Sequence, residues 1–261
     1  MRNHDTYEHK IQDPVIPERF SRTALLLGDN AIKKLADSHV TVVGLGAVGT
    51  NAAEAIVRSG VGKIRLVDFD IIRESNVNRQ LLALNSTIGK PKVEAARSRL
   101  KDINPDLEIE CFETFFHEDT FRDVFNNNTH IVVDAIDSLT PKLKLLELLH
   151  ERGIPVVSSM GAAWKTDPLA VRVGDLSDTR VCPLAARIRK HLRKRGINGG
   201  IRCVYSLQQP VKPKTKEENP APEEEYYKRG RDRQPAGSIS YMTGIFGYMT
   251  AWAALDFLQR K

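Results

Sequence analysis

Gly44, Gly46 and Gly49 lie between an apolar run and a helical stretch in VVGLGAVGTNAAEAIVRSGVGKIRLVDFD, residues 42–70, and a second apolar run ends at Asp68. The spacing suits a phosphate-binding loop. The first glycine permits a tight turn, the second lets the backbone approach a phosphate, and the third lets helix and strand pack closely. Phosphate then meets the helix N-terminus, where unbonded N–H groups and the helix dipole favour an anion. Asp68 is placed to accept hydrogen bonds from ribose hydroxyls. The glycines alone are a weak signal. Strand, loop, helix, strand and acid in this order point to an adenine nucleotide without saying which.

Charge separates the options. The pyrophosphate of NAD carries about two negative charges, which a helix N-terminus largely satisfies. A triphosphate carries about four and needs side-chain cations and a metal ion as well. ESNVNRQ supplies Asn76, Asn78, Arg79 and Gln80 just after the second strand, and GKPK supplies Lys90 and Lys92. Asp134 and Asp137 close the run HIVVDAID on the ligand-binding edge of such a sheet, where one of them suits magnesium, an oxygen-seeking ion. On the residues alone, the alternative that Arg79 and Lys92 are solvated surface charges stays open.

The elements that must position these groups follow from periodicity. TALLLGDNAIKKLADS reads as a helix, HVTVVG as a strand, AVGTNAAEAIVRSG as a helix and KIRLVD as a strand. PKVEAARSRLKDIN is helical with Val93, Ala96 and Leu100 inward, EIECFET is a strand, and FRDVFNN is a helical turn. HIVVDAID, PKLKLLELLHERG and PVVSSMG read as strand, helix and strand. The alternation predicts an α/β fold, a Rossmann-like parallel sheet with helices on both faces. After Gly161 the pattern changes. AVRVGDLSDT and IRCVYSLQQPV read as antiparallel strands, LAARIRKHLRKRG as a basic helix with Leu184, Ile188 and Leu192 inward, and residues 212–236 as a mobile loop poor in aliphatics. Residues 1–165 are expected to form the nucleotide-binding domain and 166–261 a C-terminal extension of the same globule.

The 261 residues are 41% hydrophobic, enough for a sizeable core and against global disorder. The net charge of +6 is compatible with a polyanionic partner. Cys111, Cys182 and Cys203 form no CxxC pair, so a reducing cytosol is expected and a disulfide framework is not. Residues 238–255 carry no charge, but their glycines and hydroxyls predict a core helix rather than a membrane span. The seven histidines show no metal-ligand spacing, and His117 and His191 are expected at the surface.

RFSR, VGLGAVG, LVDFD, SNVNRQ, IGKPK and DAID, in this order and spacing, resemble the ubiquitin-activating-like (ThiF/MoeB) adenylating enzymes over about residues 19–165. The resemblance implies ATP rather than NAD: a carboxylate attacks the α-phosphate and yields an acyl-adenylate and pyrophosphate. It implies that Gly44, Gly46 and Gly49 form the nucleotide loop and that Asp68, with Asp70 of the same motif, holds ribose and neighbouring groups. Asn76, Asn78, Arg79 and Lys92 hold phosphates, and Asp137 is the magnesium ligand. Asn78 stands where many members carry Gln. Arg22 is expected to reach the ATP of a second protomer, which implies a homodimer with composite sites. Arg22, Arg79, Lys92 and Asp137 form the expected catalytic set.

Carrier-activating members carry two CxxC pairs for zinc; three scattered cysteines exclude that site, so no structural zinc is expected. DPLAVRVGDLSDTRVCPLAARIRKHLRKRGI, CVYSLQQPVKP and the C-terminal GSISYMTGIFGYMTAWAALDFL resemble instead the TcdA (CsdL) branch, tRNA threonylcarbamoyladenosine dehydratases. That branch implies a tRNA partner carrying the modified adenosine. Between Arg180 and Arg202 lie eight Lys or Arg residues and no acid. Arg187, Arg189, Lys190, Arg193, Lys194 and Arg195 are the expected tRNA contacts. The alternative is an adenylating enzyme for a ubiquitin-like sulfur carrier, or a partner of a cysteine desulfurase in a sulfur relay. It would require a cysteine, with Cys182 before Pro183 the candidate and Cys203 a core residue. A NAD-dependent oxidoreductase or a non-catalytic nucleotide module ranks third and would show no pyrophosphate exchange.

Overall fold

The computed structural model describes residues 16–125, 128–212 and 236–260. Helices α1 (Ser21–Leu27) and α2 (Asp29–Ala36) lead into β1 (His39–Val43), α3 (Ala47–Arg58) and β2 (Lys63–Val67). Then come α4 (Lys92–Ile103), β3 (Glu108–Phe112), α5 (Phe121–Val124), β4 (Ile131–Asp134), α6 (Leu139–Glu151) and β5 (Val156–Ser159). The chain closes with β6 (Val171–Asp175), α7 (Pro183–Arg193), β7 (Arg202–Ser206) and α8 (Ser240–Arg260).

The seven strands make one sheet in the order β3-β2-β1-β4-β5-β7-β6. All neighbours are parallel except β6, which pairs antiparallel with β7 at the edge. The chain winds outward from β1 to β3, then returns to place β4 beside β1. Strand order therefore reverses between β1 and β4, and the crevice at their C-terminal ends is where such sheets take a ligand.

Alternation along the strands divides the core. Val40, Val42, Ile64, Leu66, Ile131 and Val133 face a cluster built with Ala53 and Ile56 of α3, Ala96 of α4 and Phe246 of α8. Their neighbours Val43, Val67 and Val132 face the other way, toward Phe121 and Val124 of α5 and Leu145 and Leu149 of α6. Cys203 and Tyr205 of β7 pack under α6 and α7 on that same side. Each aliphatic side chain fully buried this way contributes about 1.5–3 kcal/mol relative to exposure, which holds helices on both faces.

Several elements differ from the sequence expectation. The single helix expected from TALLLGDNAIKKLADS is two, because Gly28 has φ 84° and cannot continue α1. The strand expected from EIECFET stops at Phe112. On α7 the inward face is Ala185, Ile188 and Leu192, with Leu184 only half-buried beside them. As expected, β6 pairs antiparallel with β7; the pair extends the main sheet, and α8 packs along α3. Of the loop expected at 212–236, residues 213–235 lie outside the described residues. No helix among the described residues is long and apolar enough to cross a membrane.

Candidate active site

The crevice between β1 and β4 is floored by the glycine loop. Gly44 turns sharply at φ 93°, and a Cβ there would come 2.8 Å from the Ala135 carbonyl oxygen at the end of β4. A Cβ on Gly49 would come 1.8 Å from the Gly44 carbonyl oxygen, so helix and loop close only on glycine. A Cβ on Gly46 would meet open space, so the loop is clear above its second glycine. Gly46 is the N-cap of α3 and contributes no side-chain cap. The first turn of α3 thus presents unbonded N–H groups at the sheet edge, as a phosphate requires.

Asp68 directly follows β2, beside this loop. Its carboxylate accepts the Leu45 N–H at 2.5 Å and the Asp70 N–H at 2.8 Å. Burial pushes its pKa above the ordinary carboxylate range, against the pull of the Lys92 charge and of the two N–H donors. Asp70 also holds Lys92: Nζ is 2.7 Å from Oδ2, and the lysine is almost wholly buried. The Lys92 N–H donates to the Asp70 carbonyl at 3.0 Å, so the two residues are fixed by main chain and side chain together.

The turn at residues 74–80 is built by its own motif. Asn76 is buried, and its Oδ1 accepts the Arg73 N–H at 3.0 Å. Arg79 is half-buried; Nη1 donates to the Ser75 carbonyl and to Asn78 Oδ1, each at 2.8 Å. Burial draws the Arg79 pKa down, and the charge of Asp137, the acid that follows β4, holds it up. Gln80 Oε1 is buried with no hydrogen-bond partner among the described residues. Gly44, Asp68, Lys92, Arg79 and Asp137 thus come from β1, β2, α4, the 74–80 turn and the end of β4 to one end of the sheet.

Asp134 and Asp137 have different surroundings. Asp134 is fully buried; Oδ2 accepts Ser158 Oγ at 2.6 Å and lies 2.8 Å from Lys142 Nζ, while Oδ1 accepts the Ile136 N–H at 3.1 Å. Lys142 also donates to the Ile136 carbonyl at 3.0 Å. Fully buried and ion-paired with Lys142, Asp134 is closed to a metal ion at the sheet edge; it fixes the turn that exposes Asp137. Lys142, missed by the sequence reading, belongs to the site as a support. No group of three or more His, Cys, Asp or Glu residues is clustered among the described residues.

The remaining predicted residues lie on other elements. Arg22 is exposed on α1, beside Leu25 and Leu26, which are 80% and 81% exposed. On α7, Arg187, Lys190 and Arg193 are exposed, as is Lys194 just beyond it. Arg189 instead donates to the Thr179 carbonyl and hydroxyl, and Arg195 pairs with Glu147 at 2.6 Å. Cys182 is buried as the N-cap of α7. Cys203 is buried in β7, where desolvation pushes its thiol up to about 12. His117 and His191 are exposed.

Residues 20–261 match the model of the ThiF family. A tRNA threonylcarbamoyladenosine dehydratase of Bacillus subtilis is 44% identical over 193 residues, covering 74% of this chain and 76% of the relative. The enzyme of that name from Escherichia coli is 34% identical over 260 residues, covering 94% of each. The crystal structure of the E. coli enzyme in complex with ATP matches with a TM-score of 0.82 at 32% identity, over 94% of this chain and 97% of that one. The family match runs from Phe20 through every element that builds the crevice, and the chain belongs to the ThiF family.

Proposed function

We propose that this chain is an ATP-dependent tRNA threonylcarbamoyladenosine dehydratase. The observation that carries the reading is the extent of the likeness. The E. coli dehydratase matches over 94% of both chains, so the resemblance takes in β6, α7, β7 and α8 as well as the nucleotide-binding half.

The carboxylate of the threonyl group is a poor electrophile. One of its oxygens attacks the α-phosphorus of ATP, the bond to the β-phosphate breaks, and pyrophosphate leaves. A neighbouring group of the same modification then attacks the acyl carbon, AMP departs with the former carboxylate oxygen, and one proton is released. The nucleoside has lost the elements of water. Ring closure within one substrate is effectively unimolecular and needs no enzyme nucleophile, which suits a chain whose Cys182 and Cys203 are buried.

In this reading the α3 N-terminus and the loop at Gly44–Gly49 hold phosphate, and Asp68 accepts from ribose. Arg79 and Lys92 neutralise charge on the triphosphate, with Asn76 and Asn78 shaping the turn that carries Arg79 and Asp70 orienting Lys92. Asp137 would hold magnesium, which shields the triphosphate when bound. Arg22 serves a neighbouring protomer, and the bare leucines beside it on α1 support a homodimer. Such a protein works where tRNA is modified, in the cytosol.

The test is AMP release with ATP and magnesium, comparing tRNA that carries threonylcarbamoyladenosine with the same tRNA lacking it. AMP release only with the modified tRNA, with a nucleoside lighter by one water, is expected. Equal AMP release from both and no mass change would overturn the reading. The tRNA backbone is assigned to the exposed cations of α7. Replacing Lys190 and Arg193 by alanine should lower the slope of log affinity against log salt by about two, near one for each phosphate no longer neutralised. An unchanged slope would remove α7 from the interface.

A further inference from the structure

Trp164 has a left-handed backbone, φ 60°. A bulky L residue adopts this only when its surroundings over-determine it, and such strain gathers at ligand-binding sites. The surroundings here do so. The Trp164 N–H donates to the Gly237 carbonyl and the Trp164 carbonyl accepts the Val211 N–H, both at 2.8 Å. The Thr166 and Asp167 N–H groups donate to Gln208 Oε1 at 2.8 and 2.9 Å, and the Tyr241 hydroxyl donates to the Thr166 carbonyl at 2.9 Å. Lys165 is buried and spends its ammonium on the Gln208 carbonyl. Residues 164–167 are therefore a rigid strap.

The strap does not sink its ring into the core. The Trp164 side chain is half-buried, with the six-membered ring lying over Gly237, where a Cβ would come within 2.6 Å of it. Tyr241, tied to the same strap, is 45% exposed.

The strap also stands in a telling place. It follows β5, the strand next to β4, whose end carries Asp137. Asn78 Nδ2 donates to the Ser238 carbonyl at 3.2 Å, joining the turn that holds Arg79 to the residue after Gly237. On the other side, Gly161 lies against Cys182 and Leu184, the head of α7. The segment that carries this ring thus touches the head of a basic helix at Gly161 and, through Gly237, adjoins the residue bonded to the phosphate-binding turn. Positive charge along a path that ends in a stacking surface is how proteins take unpaired nucleotides.

We infer that Trp164 is the stacking surface for the base of the RNA nucleotide presented to the adenylating centre, an inference that rests on the dehydratase reading. Enzymes that act on a base take it out of its stack and hold it against aromatic or apolar groups. A ring on a strap braced by Gln208 and Tyr241 is pre-organised for that.

The chain has two tryptophans, which makes the test direct. Trp252 lies on α8 under Arg202. In a Trp252→Phe background, emission reports Trp164 alone, and an anticodon stem-loop carrying the modified adenosine should quench it. Trp164→Asn removes the ring while keeping a residue that tolerates the left-handed region, so the strap's backbone is retained and a cooperative melt shows that the variant is folded. Its dissociation constant for the stem-loop should rise about 5- to 150-fold, the range for loss of one stacked base, and Trp164→Phe should recover most of it. Unquenched emission on saturating RNA, or a folded Trp164→Asn variant that binds like the parent, overturns the inference while leaving the dehydratase reading intact. Should Trp164→Asn fail to fold, the quenching experiment decides. If the parent neither binds the modified stem-loop nor releases AMP with modified tRNA, the dehydratase reading fails and the stacking role falls with it.

Discussion

Replacing Arg79 by alanine is expected to slow AMP release with the modified tRNA on the order of 10^3-fold, with a smaller change in the KM for ATP. The argument is electrostatic. A guanidinium placed where phosphoryl charge builds up contributes at the transition state more than in the ground state, and losing one such donor commonly removes two to three orders of magnitude, about 10^2–10^3-fold. Arg79 is suited to this because it is half-buried, aimed by the Ser75 carbonyl and Asn78 Oδ1, and balanced against Asp137. Arg79→Lys should recover little, since a lysine keeps the charge but cannot hold two acceptors and a phosphate in one plane. Arg22 gives a second readout. Arg22→Ala and Arg79→Ala homodimers should each be nearly inactive. Mixing them under subunit exchange should restore about a quarter of the parent rate, because half the dimers then carry one complete site. A loss below tenfold for Arg79→Ala would place the cation outside the chemistry, and no recovery on mixing would place Arg22 outside the neighbouring site.

The nucleotide loop is legible in the chain because each of its requirements leaves a mark at fixed spacing. Gly44 and Gly49 are where any Cβ meets backbone, and Asp68 stands just past the end of the next strand. The break between α1 and α2 was marked too: Gly28 is followed by Asp29 and Asn30, a stop signal and then a start signal inside one apolar pattern. Other features depend on residues far apart in the chain. Lys142 sits in PKLKLLELLHERG, where helical spacing reads it as one more solvated cation, and only the fold brings Asp134 beneath it. Lys165 is hidden in the same way by Gln208. Of the six basic residues expected to contact tRNA, Arg189 and Arg195 are turned to Thr179 and Glu147, partners supplied by a turn and by α6. A charge run shows how many cations a segment carries; which of them stay unpaired depends on what packs beside it.

Replacing Lys142 by methionine is expected to destabilise the protein by about 3–5 kcal/mol, the range for removing one partner of a buried ion pair. For a chain of this size that is a fall in Tm of roughly 6–20 °C. Methionine nearly matches the lysine stem in volume, so packing changes little and the loss reports charge. Asp134 is 0% exposed, and Ser158 Oγ and the Ile136 N–H cannot balance a full negative charge alone. The second variant makes the test specific. Asp134→Asn in the Lys142→Met background removes the stranded charge; the amide oxygen can still accept the Ile136 N–H while the amide NH2 donates to Ser158 Oγ, a hydroxyl that can accept as well as donate, so part of the lost stability should return. A cavity or a packing defect would not be repaired by that change. The pair also bears on activity. Lys142 holds the Ile136 carbonyl and Asp134 holds the Ile136 N–H, so the turn before Asp137 is gripped from both sides of one residue. The double variant should therefore regain stability more fully than turnover. Regaining neither would mean that the two residues do not act as a charge pair. Turnover recovered in step with Tm would mean that they hold the fold and not the turn.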